Sequence, residues 1–335
     1  MDILIIRFSS LGDIIMTSAA VEALKRKFPE SHIYYLTKRD YAQVFDNDER
    51  IFKVIGITGN ERPFEIIKKI GRKEFDTVID LHGSIRSMFV SAALKAQKKL
   101  RIVKHSFARR LMILSHKMYR RNFDVLGSIM DTLKPLDISG SEFPKILSNE
   151  KYKDIARSLL PIESGERNNK VIGIAPGARH STKRWNEHSF ARLADEISAK
   201  GDLPVFIGDS NDLDVIERIG EIMHSVPVSL AGKIDISTTI SVISLLDSLV
   251  TNDSGPMHIA GALGVPCITV FGPTHPMLGF CPGYPSVSII HSGAECSPCS
   301  IHGASQCRMK SRFCMDDITW NTVFELLYVL KKKVE

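Results

Sequence analysis

Apolar and polar positions along this chain follow two alternating rhythms. The apolar run Ile3–Arg7 predicts a strand buried on both faces. A turn, Phe8-Ser9-Ser10-Leu11-Gly12-Asp13, leads to a predicted helix with apolar positions Ile14, Ile15, Val21, Leu24 and Phe28. Lys25, Arg26 and Lys27 suit the negative end of that helix, and Pro29 stops it. Further strands are predicted at His32–Leu36, Thr77–Leu81 and Arg101–Val103. Strands alternating with helices imply a doubly wound parallel sheet.

The stretch 148–170 is polar and carries Pro161, Gly165, Asn168 and Asn169, which suits a helix followed by a linker. The rhythm then restarts, with strands at 171–175, 204–208, 228–231 and 248–251 and helices at 189–200, 212–223 and 236–246. The chain therefore reads as an α/β protein of two Rossmann-like, doubly wound halves with a cleft between them. Neither half contains Gly-x-Gly-x-x-Gly, which argues against a dinucleotide oxidoreductase.

Composition agrees with two domains of ordinary size. The 335 residues are 44% hydrophobic and 24% charged, as in a globular protein. No apolar run reaches about 18 residues, so no spanning helix is expected. Met1–Arg7 lacks the basic and small-residue features of a signal peptide, so a cytoplasmic location is expected. Net charge is +6, and its distribution is more telling than its size. Residues 81–123 contain no Asp or Glu but carry Arg86, Lys95, Lys98, Lys99, Arg101, Lys104, Arg109, Arg110, Lys117, Arg120 and Arg121. Such a block is either a solvated face or an attractor of polyanions: nucleic acid, an anionic membrane face or an acidic substrate. Nucleic acid is disfavoured, because aromatic residues are not interleaved as stacking platforms.

Candidate chemistry gathers where strands end. Thr251-Asn252-Asp253-Ser254-Gly255-Pro256-Met257-His258 reads as a strand end, a short loop and a helix start, followed by a buried strand from Cys267. Pro suits the first helical turn, and Gly lets a ligand approach the backbone. The amides of Gly255, Met257 and His258 then suit a phosphate or pyrophosphate, although an ordinary strand–helix turn has the same appearance. His258 lies one turn from that ligand position. Asp253 either accepts bonds from the loop amides or meets the ligand. In 176–185, Lys183 offers a compact charge for phosphate, and Arg179 and Arg184 offer forked donors. Asp13, at the start of the first helix, either complements the helix dipole or acts as a general base toward an attacking hydroxyl.

Three motifs in this order, Ile5-Ile-Arg-Phe-Ser9-Ser10-Leu11-Gly12-Asp13, Lys183-Arg-Trp185 with Phe190, and Asn252-Asp-Ser-Gly-Pro-Met-His258, resemble glycosyltransferase family 9, the heptosyltransferases of lipopolysaccharide inner-core assembly. The resemblance runs nearly end to end. It implies a GT-B fold, two Rossmann-like domains facing across a cleft, and an inverting transfer with no cofactor or metal required for catalysis. It implies that Asp13 is the base, that Lys183 binds donor phosphates, and that Asp253, Ser254, Gly255, Met257 and His258 cradle a nucleotide sugar, most naturally ADP-heptose. Arg179 joins this donor set, and Asp212 is the nearest match to an acidic residue that contacts the donor nucleoside in relatives. The acid-free block then suits an acidic Kdo–lipid A acceptor at an anionic membrane face, met by Ser10, Gly12, Arg86, Arg120 and Arg121. Residues 1–160 would form the acceptor domain and 161–315 the donor domain, with 316–335 a helix crossing back onto the first. The alternatives are a related enzyme using another nucleotide sugar, a sugar-nucleotide 2-epimerase, and a non-catalytic binder of anionic glycans.

Cys296, Cys299, Cys307 and Cys314 fall within 19 positions. In a cytosolic protein this spacing favours a structural tetrahedral zinc site over disulfides, with unligated loop thiols as the alternative.

Overall fold

The computed structural model describes residues 1–46, 48–115, 122–161 and 169–330. The chain forms two compact units, one of Met1–Ser106 with Phe123–Leu147, the other of Phe107–Asn122 with Ser148–Glu335.

The first unit is a five-stranded sheet in the order β3-β2-β1-β4-β5. Its strands are β1 (Asp2–Ile6), β2 (His32–Lys38), β3 (Lys53–Ile57), β4 (Phe75–Asp80) and β5 (Ala96–Arg101). All pairings are parallel, with Leu4 opposite Tyr34 and Ile5 opposite Ile79. The helices of this unit are α1 (Leu11–Lys27), α2 (Arg39–Ala42), α3 (Pro63–Ile70), α4 (Ile85–Ala93) and α6 (Val125–Asp131), while α5 (Ser106–Ser115) falls almost wholly in the second unit. Leu4, Ile6, Leu36, Ile57, Val78 and Val90 fill one face of the sheet. The apolar run at the N-terminus is thus buried on both sides, as its composition requires.

The turn after β4 is built by Asp80. Its carboxylate accepts the amides of His82 and Gly83 and the hydroxyl of Ser87. Gly83 has φ +60°, and a Cβ there would lie 3.0 Å from Ile102 and 3.1 Å from the Lys104 stem, so the position admits only glycine comfortably.

The second unit is a six-stranded parallel sheet ordered β11-β10-β9-β6-β7-β8. Its strands are β6 (Val171–Ala175), β7 (Leu203–Phe206), β8 (Val228–Ser229), β9 (Ser248–Asn252), β10 (Cys267–Phe271) and β11 (Val287–His291). The helices are α7 (Glu150–Leu159), α8 (Glu187–Ala199), α9 (Leu213–Ile222), α10 (Ile236–Ser244), α11 (Gly255–Leu263), α12 (Phe313–Asp316) and α13 (Trp320–Leu330). Trp185 anchors the core, stacked edge-on against Phe190 at 4.9 Å, with its ring N–H donated to the Ile318 carbonyl at 2.8 Å.

Two doubly wound sheets match the fold class read from the sequence; β3 and β11 had no predicted counterpart, and three further details differ. The strand expected at 101–103 lies at 96–101, a polar edge strand whose exposed side chains hide its period. The segment 148–160 belongs to the second unit, because α7 packs on α10. The final helix also belongs to the second unit, not to the first as expected: Val323 and Leu327 are buried in the same core as α8 and β10, which occupies its apolar stripe.

Candidate functional site

Both sheets reverse their winding at an identifiable place, and polar side chains gather there in each. In open α/β sheets such switch points, at the carboxyl ends of strands, are where ligands bind. In the first unit the reversal lies between β1 and β4. Arg7, the residue after β1, spans it with one buried guanidinium. Nε donates to the Ser9 carbonyl at 2.9 Å, Nη1 to the Leu81 carbonyl beyond β4 at 2.7 Å, and Nη2 pairs with Asp13 Oδ2 at 2.6 Å.

Asp13 sits at the third position of α1. Its Oδ2 also accepts the Ser10 amide at 3.1 Å and the Ser10 hydroxyl at 2.7 Å, closing a capping box. Burial opposes ionisation of this carboxyl, but the Arg7 charge and the two Ser10 donors outweigh it and hold its pKa below the ordinary value. All these donors converge on Oδ2. Among the described residues no hydrogen bond is made to Oδ1, which leaves that oxygen for a hydroxyl. Gly12 lies beside it in the first turn of the helix.

His82 and Lys104, which the sequence reading did not single out, join this group. The His82 ring packs on Phe8 at 4.8 Å, and its Nδ1 is buried without a hydrogen-bond partner. Burial, with Arg7 and Lys104 adding positive potential, pushes its pKa down to about 3, so the ring is neutral at ordinary pH. Desolvation and the Arg7 charge lower Lys104, against the pull of Asp13 and Asp80.

Arg86, expected to meet an acceptor, is engaged elsewhere. Its guanidinium donates to the carbonyls of Gly59, Thr58 and Glu61 and stacks over Phe8 at 5.3 Å, so it holds the 58–61 loop. Arg120 and Arg121 lie outside the described residues.

In the second unit the reversal lies between β6 and β9. Asn252, fully buried at the end of β9, ties the two together. Its Oδ1 accepts the Trp185 amide at 2.9 Å, and its Nδ2 donates to the Pro176 carbonyl at 2.7 Å. Across this join Lys183 Nζ meets Asp253 Oδ2 at 2.7 Å. The Thr274 hydroxyl, beyond β10, donates to the same oxygen at 2.6 Å. Burial again opposes ionisation of Asp253, and Lys183, Thr274 and His258 reverse it, so the carboxyl stays below its ordinary pKa.

Helix α11 starts beside this pair. Its N-cap Ser254 makes no side-chain cap bond, and its first-turn amides have no partner within the helix. Ser254 Oγ instead lies 3.2 Å from Thr251 Oγ1. Met257 is a core residue, completely buried. His258 Nδ1 is 3.3 Å from the Tyr284 hydroxyl, and a Cβ on Gly261 would fall 2.4 Å from the Tyr284 ring, so this glycine makes room for the His258 partner.

Arg179 is exposed on the loop after β6. Asp212 presses against Gly177, where a Cβ would lie 2.2 Å from its carboxylate, and burial together with Asp209 raises its pKa. Asp212 thus borders the Pro176–Lys183 loop.

The cysteine-bearing segment packs on the same loops. Thr182 and Ala304 exchange three hydrogen bonds, and Ser181 donates to the Ser305 carbonyl at 2.6 Å. The amides of Cys299 and Ser300 both donate to the Pro273 carbonyl. Among the described residues no group of three or more His, Cys, Asp or Glu side chains is placed to hold a metal ion, and Cys296, Cys299, Cys307 and Cys314, expected to form a zinc site, are free thiols near enough to act on one another electrostatically. Cys314 is buried in the α/β core, and burial, then the other three thiols, push its pKa up to about 12. Cys307 donates to the Ser311 carbonyl. The segment is held as a strap by backbone bonds.

The sequence pattern of "Glycosyltransferase family 9 (heptosyltransferase)" matches residues 64–310. The lipooligosaccharide heptosyltransferase 2 of Haemophilus influenzae is 28% identical over 303 residues, covering 82% of this chain and 84% of that protein. Among solved structures, a family 9 glycosyltransferase from Veillonella parvula superposes with a TM-score of 0.81 at 23% identity, covering 98% of this chain and 96% of that one. The Escherichia coli ADP-heptose lipopolysaccharide heptosyltransferase II superposes with a TM-score of 0.75 at 20% identity, covering 99% and 100%.

Proposed function

Because the chain belongs to glycosyltransferase family 9, the heptosyltransferases, and has their GT-B fold, we propose that it moves a heptose from ADP-heptose to the Kdo–heptose inner core of lipopolysaccharide. The observation that carries this reading is the division of labour between the two switch points. One holds an ionised carboxylate with an open oxygen, and the other holds a cation at a helix N-terminus.

Asp13 Oδ1 would accept the proton of the acceptor hydroxyl as that oxygen attacks the anomeric carbon. Arg7 and Ser10 keep Oδ2 occupied and the group charged, so the base is ready at neutral pH. The bond to ADP breaks as the new glycosidic bond forms on the opposite face, which inverts the anomeric centre. Negative charge then grows on the diphosphate. Lys183 has three N–H donors and spends one on Asp253, leaving two for phosphate oxygens. The α11 amides of Gly255, Met257 and His258 supply a fixed positive end beside it. Asp253 and Thr274 position the lysine, and Ser254, Arg179 and Asp212 are the residues we assign to the rest of the nucleotide.

On the acceptor side, Ser10 and Gly12 flank the base. Lys104 is the cation we assign to an acidic sugar there, since Arg86 already holds the 58–61 loop. An acceptor built on lipid A places the reaction at an anionic bilayer surface. No helix among the described residues is long and apolar enough to cross a membrane, so the contact would be peripheral.

A mass-spectrometric assay tests the proposal. The protein is incubated with Kdo–lipid A, or with its mono-heptosylated form, and a panel of nucleotide sugars. The expected result is addition of one heptose from ADP-heptose alone. Transfer from a different nucleotide sugar, or isomerisation of donor without any acceptor, would overturn it.

A further inference from the structure

An uncovered apolar stripe within the basic segment runs along α5. Phe107, Leu111 and Leu114 are 81%, 44% and 75% exposed and recur at spacings of four and three, which places them on one helix face. The opposite face is fixed within its own unit. Arg109, only 6% exposed, donates Nε to the Leu278 carbonyl at 2.9 Å and lies 5.0 Å over the Phe280 ring, and Met112 and Ile113 are buried beside it. The helix is therefore apolar on both sides and covered on one. Large apolar side chains grouped in this way on a surface mark a contact face.

We propose that α5 docks the protein on an anionic lipid bilayer, with Phe107, Leu111 and Leu114 entering the interfacial region. The proposal rests on the reading that the acceptor is lipid-anchored. Charge selects the occupant. Arg110 is exposed on the same face, between Phe107 and Leu114, and the helix lies in a segment of eleven Lys and Arg residues with no acidic residue. An exposed stripe of Phe and Leu with an arginine beside it suits a membrane surface, the apolar rings and branches entering the interface while the long basic side chain reaches the headgroups. A second copy meeting this face by two-fold symmetry would set like charges against each other, which disfavours self-association. The ten-residue helix spans about 15 Å, enough to lie flat in the interface and too short to cross it. A short apolar stripe and a basic patch are each weak anchors, and two together give stable but reversible attachment.

Co-sedimentation of the full chain with vesicles tests this. Vesicles of phosphatidylglycerol and phosphatidylethanolamine should bind the protein, and vesicles of phosphatidylcholine alone should bind it far less. The double substitution F107S/L114S should lower partitioning onto the anionic vesicles about tenfold or more. It should leave transfer to a deacylated, water-soluble acceptor unchanged. As a second probe, Leu114→Trp should shift its fluorescence to the blue when anionic vesicles are added. Equal binding by F107S/L114S, no spectral shift from Leu114→Trp, or a dimer in solution that F107S/L114S dissociates would each overturn the proposal. Vesicle binding without any sugar transfer would instead sink the catalytic reading and leave the docking face standing.

Discussion

Replacing Arg7 with Met removes the group on which the first switch point is organised. Met keeps the length and apolar stem but none of the donors. Three interactions go at once: those to the Ser9 carbonyl, the Leu81 carbonyl and Asp13. Arg7 is nearly buried and Asp13 about one-fifth exposed, so solvent replaces little of what is lost. Breaking a buried ion pair by deleting one partner costs about 3–5 kcal/mol, and the partial exposure of Asp13 argues for the lower figure, about 3 kcal/mol. Stability should therefore fall by about that amount in urea titrations read by circular dichroism.

The catalytic effect follows separately. Ser10 alone would hold the carboxylate, and a displacement of about 1 Å at a reacting group lowers rate by about 10²-fold. The pH dependence carries the sharper sign. Burial raises the pKa of Asp13 and Arg7 opposes it, so losing Arg7 raises the pKa. The acidic limb of kcat/KM should then move to higher pH in Arg7→Met, with Arg7→Lys in between. The assay is ADP release measured across pH at saturating acceptor. If Arg7→Met keeps kcat within a few-fold of the parent and its acidic limb is unmoved, Arg7 does not position the base.

Two further outcomes are expected. Thr182→Val leaves the Ala304 amide without its hydroxyl acceptor and loosens the strap on the Lys183 turn. A loss of about 1 kcal/mol there corresponds to about fivefold in donor KM, with acceptor KM unchanged, and steady-state kinetics with each substrate varied would show it. Asp195 gives a stability test. The Ser225 amide and the ring and amide of His224 overcome its burial and hold its pKa at about 2, against an ordinary 3.8. The unfolded chain thus binds more protons in that range, so this contribution is intact above about pH 4 and fades as pH falls toward 2. Urea midpoints at pH 5 and pH 2.5 should converge for Asp195→Asn relative to the parent, and parallel losses in both proteins would contradict the assignment.

The parts of the fold that were legible in the sequence are those with a one-dimensional signature. β1 and β6 are nearly continuous apolar runs, and Gly255-Pro256 announces α11. β5 and β11 were not legible because edge strands face solvent and lack both an apolar run and a clean alternation. Arg7 read only as the end of a strand, since its role depends on the Leu81 carbonyl 74 positions away. The Lys183–Asp253 pair joins residues 70 apart that were each named for the donor, Lys183 alone for its phosphates, but their contact with one another is a product of the β6–β9 reversal. Arg86 was legible only in part. Its place in the basic block suggests a free cation, and only the folded 58–61 loop reveals the carbonyls that occupy it. Cysteine spacing marks the segment that packs on the Lys183 loop, but the hydrogen bonds that hold it there, from Thr182 and Ser181 to Ala304 and Ser305, have no signature in the sequence.

The most direct measurement is single-turnover transfer by Asp13→Asn, paired with calorimetric binding of ADP. Asn keeps the shape of the side chain but cannot take a proton. The account predicts that ADP binds as tightly as to the parent while the rate of heptose transfer falls by about 10²–10⁴-fold. Transfer at the parental rate, with ADP binding equally intact, would show that the carboxylate held by Arg7 and Ser10 is a helix cap and not a base.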